Sequence, residues 1–133
     1  MRLDAKTVVL DSEGLSAWIN QDRKVSAVLR QINKRGAEFV VCANTIVEVV
    51  HAGVNVPRLN WALSQVRIEP VTARSAKAAA RLLQHVGLHG HKYAIDATVA
   101  EAALRQPGPV IMLTSDIDDM SRLCGKGVQL MAL

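Results

Sequence analysis

Three short runs of apolar, largely β-branched residues, TVVL, FVVCA and VIMLT, constrain the fold of this chain more than any other feature. Runs this short and this apolar read as strands buried on both faces, which is the pattern of a mostly parallel sheet rather than of an alternating antiparallel one. Parallel strands need crossover connections, and the intervening sequence supplies them. Between Asp22 and Gly36, Val25, Val28, Leu29 and Ile32 follow i, i+3, i+4, i+7 spacing, with Asp22 as N-cap, Gly36 as stop and Arg23, Arg30 and Lys34 on a basic outer face. The expectation is an α/β fold: one domain over residues 1–133, with a mostly parallel central sheet covered by helices on both faces.

The other elements follow from local signals. ANTIVEVVHAG reads as a helix ending near Gly53 and carrying Glu48, and PRLNWALSQ as a short helix opened by Pro57. VRIEPV is a short extended piece. Residues 72–86 are Ala-rich and helical, with Arg74, Lys77 and Arg81 on one face. GLHGHKY is expected to be a loop, and AIDATVAEAALRQ a helix stopped by Pro107 and Gly108. The strand VIMLTS leads to a final helix, DIDDMSRLC, and an edge strand, GVQLMAL. The N-terminal stretch MRLDAKTVVL has too short an apolar run for a secretion signal, and no segment reaches membrane-spanning length, so a cytoplasmic protein with no membrane association is expected. Cys42 and Cys124 form no CxxC motif and read as reduced, buried thiols.

The formal charge is +4, from 16 Lys and Arg against 12 Asp and Glu. Five of those acids are Asp11, Glu48, Asp96, Asp116 and Asp119. If they share one site, seven acids are left to face the 16 bases elsewhere, a surface that attracts a polyanion. With Trp18, Phe39, Trp61 and Tyr93 the only aromatics, base stacking is at most a minor contributor.

Each acid has a plain structural explanation. Asp11 and Asp116 suit helix N-caps, Thr45 and Glu48 have capping-box spacing, and Asp96 near a helix start complements the dipole. Their joint arrangement says more. Asp11 and Asp116 follow buried strands and therefore emerge at the same sheet edge, while Glu48 and Asp96 are placed in the first turns of helices that begin there. The apolar settings NTIVEVV and YAIDATVA point both side chains inward, where an unpaired carboxylate is costly and a cation relieves the cost. Hard oxygen donors suit Mg²⁺ or Mn²⁺.

On these residues the sequence resembles the PIN domains, and among them the VapC-type ribonuclease toxins of toxin–antitoxin modules. VVLDSEGL resembles the first acidic motif, ANTIVEVV the Glu-bearing helix, YAIDATVAEAAL the Asp-Ala-x-x-Ala helix, and VIMLTSDIDDM the closing strand and its acids. The resemblance covers nearly the whole chain. It implies a PIN-like three-layer fold and a divalent-metal-dependent endoribonuclease. Asp11, Glu48, Asp96 and Asp116 would be the metal-centred catalytic acids and Asp119 a nearby fifth, with Thr114 and Ser115 supporting that edge through hydrogen bonds. It also implies an RNA substrate, a cognate antitoxin and a homodimer. Met120 stands where an aromatic residue often follows the last Asp, and Glu13 and Asp118 are additional, which leaves the shares of Asp116 and Asp119 open.

The implied reaction is phosphodiester hydrolysis without a covalent intermediate, with Asp11, Asp96 and Asp116 as ligands and Glu48 as ligand or base. Arg74, Lys77 and Lys92 are weaker candidates for RNA phosphate contacts. His85, His89 and His91 lack accompanying cysteines and suit a polar connection better than a transition-metal site. Three alternatives stand beside this reading. A housekeeping PIN ribonuclease shares every feature, and a non-catalytic RNA-binding module would have little reason to keep the acids. A receiver-like phosphoacceptor needs an acid where FVVCAN offers Cys42 and Asn44.

Overall fold

The protein, seen in a computed structural model, is described over residues 4–133; the first three residues of the N-terminal stretch read for a leader lie outside these. The chain runs β1 (Thr7–Leu10), α1 (Ser12–Ile19), α2 (Arg23–Lys34), β2 (Glu38–Cys42), α3 (Ala43–Val49) and α4 (Val56–Ser64). It continues through β3 (Arg67–Glu69), α5 (Ala73–Val86), α6 (Gly90–Leu104), β4 (Val110–Thr114), α7 (Ile117–Cys124) and β5 (Gln129–Ala132). The five strands form one sheet in the order β3-β2-β1-β4-β5, and every pairing is parallel. The sheet is thus wholly parallel, and β1 is its centre.

Burial follows from that position. Every residue of β1 and β4 is buried, and two apolar layers form on opposite faces because successive side chains alternate. Val8, Leu10, Val41, Ile111 and Leu113 face one layer with α1, α2 and α4; Val9, Val40 and Met112 face the other with α5, α6 and α7. No helix among the described residues is long and apolar enough to cross a membrane.

Helix ends follow the sequence signals in part. The Asp22 side chain accepts from the Val25 N–H at 2.9 Å, and α5 carries a reciprocal Thr72–Ser75 capping box. Gly87, at φ +70°, ends α5 in the left-handed conformation that a β-carbon disfavours. Three expectations are corrected. The segment GLHGHKY is not all loop, because α6 begins at Gly90 and bends at Tyr93 (φ −112°, ψ 16°). The Glu48 helix stops at Val49 rather than near Gly53, and Thr45 makes no capping box, since Cys42 is the N-cap and the Thr45 hydroxyl has no partner.

Candidate active site

Parallel strands with one direction deliver all their C-terminal ends to one edge, and the acids gather there. Asp11 directly follows β1 and is 5% exposed. It does serve as N-cap of α1, its Oδ1 accepting from the Gly14 N–H at 2.9 Å. That cap uses one oxygen of two. Gly14 is needed at this point, because a β-carbon there would lie 3.2 Å from the Leu113 carbonyl of β4. The first turn of α1 can therefore sit tight against the strand that leads to Asp116.

Asp116 lies two residues beyond β4, at the N-cap position of α7, but its side chain makes no capping bond. Its backbone N–H donates to the Thr114 hydroxyl at 2.9 Å, and that hydroxyl also bonds the Asp11 carboxylate. Thr114, fully buried, thus joins the two acids through one oxygen. Asp119 is half-buried in the first turn of α7.

Asp96 lies three residues past the bend in α6 and is half-buried. Glu48 differs from expectation in two ways: it sits in the last turn of α3, and it is exposed rather than inward-facing. The short helix leaves that face uncovered, as Val47 at 71% exposure shows.

The electrostatics tie these residues together. Burial first, then the charges of Asp116, Glu48, Asp119 and Asp11, push the Asp96 carboxyl up to about 6. Asp11 is also held above its ordinary range, by burial and by Asp116 and Glu13, against the lowering effect of the Thr114 and Gly14 bonds. The other four acids picked from the sequence therefore all act on the Asp96 carboxyl, and no arginine or lysine is paired with any of the five among the described residues.

This donor set fits a hard divalent cation by its chemistry: several oxygens, uncompensated charge, and carboxyls that resist joint ionisation. The acids are within electrostatic reach of one another without forming a ready cage. No three His, Cys, Asp or Glu side chains among the described residues stand as a group that could hold an ion. Glu48 and Asp116 are exposed.

The basic candidates are spread more widely. Lys92 is exposed at the start of α6, its Nζ 5.2 Å from the centre of the Tyr93 ring. Arg74 and Lys77 are exposed in the first turns of α5, at the end remote from the 87–89 connection to α6. His85, His89 and His91 are all exposed and belong to no metal-holding group.

Two residues near the acids were passed over in the sequence. Asn44 of α3 donates to the Thr98 hydroxyl of α6 at 3.2 Å, and Thr98 in turn donates to the Ile95 carbonyl at 2.7 Å. Their positions, four before Glu48 and two after Asp96, were the available signal.

The family model for the PIN domain matches residues 8–126. Among solved structures, the crystal structure of VapBC2 from Rickettsia felis bound to a DNA fragment from their promoter is similar, with a TM-score of 0.72 at 17% identity. That match covers 96% of this chain and 98% of the other. No curated protein sequence matches.

Proposed function

The chain belongs to the PIN-domain family, and from that premise we propose that it is a divalent-metal-dependent endoribonuclease, the toxin of a type II toxin–antitoxin pair. The observation that carries the nuclease reading is the field of four other acids acting on Asp96. A fold needs no such crowding for its stability, and crowding costs free energy unless a cation joins it.

Asp11, Asp96 and Asp116 would hold Mg²⁺ or Mn²⁺, with Asp119 as an additional oxygen donor beside Asp116. When bound, such an ion lowers the pKa of water and stabilises charge developing on a phosphate. The protein's own part is positioning. Thr114 and the Gly14 N–H fix the Asp11 carboxylate. Glu48, exposed and paired with no basic side chain among the described residues, would orient a water and accept its proton. Lys92 can meet the RNA backbone near Asp96, and Arg74 and Lys77 can add attraction farther along the strand. Such a protein acts in the cytoplasm, where its substrate is.

The toxin reading rests on the likeness to the VapBC2 assembly and on a groove of about 650 Å³ between α1, α2 and α4. Trp18, Phe39 and Trp61 line it together with Arg23, Arg30 and Arg58, and no acid does. Trp61 remains 42% exposed, and Arg58 lies 4.3 Å from the centre of its ring while bonding the Trp18 and Ile19 carbonyls. A partner helix with apolar and acidic residues would fill this groove, and a basic residue beyond it could enter the carboxylate cluster in place of the ion.

The test is RNA cleavage by the purified protein with Mn²⁺, with excess chelator, and with the product of the neighbouring gene. Cleavage that needs the ion and stops with the partner supports the whole reading. Cleavage indifferent to any such partner supports a housekeeping PIN ribonuclease instead, and full activity in chelator removes the metal site.

A further inference from the structure

Glu48 and Asp96 sit on different helices, and each adds unfavourable charge to the other. α3 begins directly where β2 ends at Cys42, and it packs against α6. The side-chain bond between them is the one from Asn44 Nδ2 to Thr98 Oγ1, 3.2 Å, in a half-buried setting. Asn44, in the first turn of α3, is four residues before Glu48 and so lies on the same side of the helix, one turn away from it. Thr98 is also anchored within α6, its hydroxyl donating to the Ile95 carbonyl at 2.7 Å. A threonine bonded back to its own helix bends that helix slightly. Thr98 lies two residues beyond Asp96, so this anchor is in the same stretch of α6.

We propose that Asn44 and Thr98 are positioning residues for the metal site: their hydrogen bond clamps α3 to α6 against the repulsion of Glu48 and Asp96 and so sets the spacing at which both carboxylates can share one ion. The inference rests on the metal-site reading above. Neither residue touches substrate. Their effect passes through the two acids, as outer partners of metal ligands commonly act.

The experiment is Mn²⁺ binding by calorimetry, at a temperature well below unfolding, for wild type, Thr98→Val, Thr98→Ser, Asn44→Ala and the double variant Asn44→Ala/Thr98→Val. Valine keeps the shape of threonine and removes only the hydroxyl. Thr98→Val and Asn44→Ala should each weaken Mn²⁺ binding by on the order of tenfold. The double variant should lose no more than either single one, because one shared bond is removed in all three. Serine at 98 should restore binding, which a general loss of packing would not allow. Hydrogen exchange adds a second readout: α3 amides should exchange faster in Thr98→Val than in wild type with the sheet unchanged. If Thr98→Val fails to fold, Asn44→Ala, at the helix surface, carries the test. Wild-type protein that binds Mn²⁺ while both single variants bind it equally well overturns the clamp and leaves the metal site standing. Wild-type protein that binds none at millimolar concentration overturns the metal site, and the clamp with it.

Discussion

Glu69 and Asp96 are both carboxylates set partly into the protein, and their surroundings are opposite. Glu69, 9% exposed at the end of β3, bonds Arg67, receives Arg105 Nη1 at 2.7 Å and accepts from the Gln106 amide at 3.0 Å. Arg67 reaches on to Glu38, and Arg105 to Glu101 and the Pro70 carbonyl. Burial alone would push the Glu69 carboxyl up, yet Gln106, Arg67 and Arg105 together bring it below its ordinary value. Asp96 has burial and four negative neighbours, and goes up to about 6. The first cluster closes an edge of the sheet with charges this chain supplies. The second is left unbalanced, and the cation proposed above would supply its counter-charge.

That contrast can be broken most sharply at Asp96. Asp96→Asn keeps the volume and removes one charge, so RNA cleavage should fall by about 10³-fold, the scale of several kcal/mol of lost charge stabilisation. Melting of the metal-free variant should be no lower than wild type, because repulsion is relieved. Cleavage rates within a factor of a few of wild type would falsify the site as drawn.

Next in size is the response to the ion itself. Mn²⁺ at 100 times its Kd should stabilise the native state by about 2.7 kcal/mol, read as a rise in melting temperature that Asp11→Asn reduces. Glu69→Gln should retain that full response, since its cluster is already neutralised.

Glu69→Gln should instead destabilise the protein at every metal concentration. Removing the charge that Arg67 and Arg105 share leaves them their outer partners, Glu38 and Glu101, and these side chains are 43% and 35% exposed. The loss should therefore be about 2 kcal/mol in urea unfolding, below that of a fully buried pair. A change under about 0.5 kcal/mol would show that the β3 cluster is ornamental and erase the contrast.

The smallest effect is the dependence on pH, where the two clusters should have opposite signs. The folded value of Asp96, about 6, lies above the ordinary 3.8, so between them the native state holds the extra proton. Stability of the metal-free protein contributed at this site should fall as pH rises through that window, by on the order of 1 kcal/mol once solvent screening of a half-buried group is discounted. Glu69 has its folded value below 4.5, so its contribution is complete above that and is lost as pH falls through the lowered value. Urea midpoints across the acid range for wild type, Asp96→Asn and Glu69→Gln separate the two slopes.

The parts of this arrangement that were legible in the sequence share a physical property: they are set by local pattern or by the sheet. TVVL, FVVC and VIMLT are buried on both faces, and their apolar runs say so. Asp11 and Asp116 could be placed at one edge because parallel strands leave no other choice. Glu48 could not be read as exposed, since the apolar run TIVEVV takes its meaning from how many neighbours cover it, and α3 is covered on one side only, leaving Val47 and Val50 open. Gly90 and His91 are poor helix formers, so the first turn of α6 was hidden; it forms where Gly90 packs within reach of Leu83, 3.6 Å from a β-carbon at that position. The break at Tyr93 is where local preference and tertiary packing meet. The β3 cluster was invisible because its members come from three separate segments whose charges look, one by one, like solvated surface.

The pairing of β1 with β4 carries a consequence for timing. Val8 lies beside Ile111, and the Thr7 hydroxyl donates to the Pro107 carbonyl at 2.9 Å, so the centre of the sheet joins residues about a hundred positions apart. At roughly 5–20 residues per second of synthesis, Asp11 waits several seconds or more before Asp116 exists beside it. Contacts so distant in sequence also form late in folding. On the function proposed above, a nuclease assembled this way would be inert as a nascent chain: until β4 has left the ribosome and inserted next to β1, the acids have no common place to meet, and the message being translated would be spared from its own product.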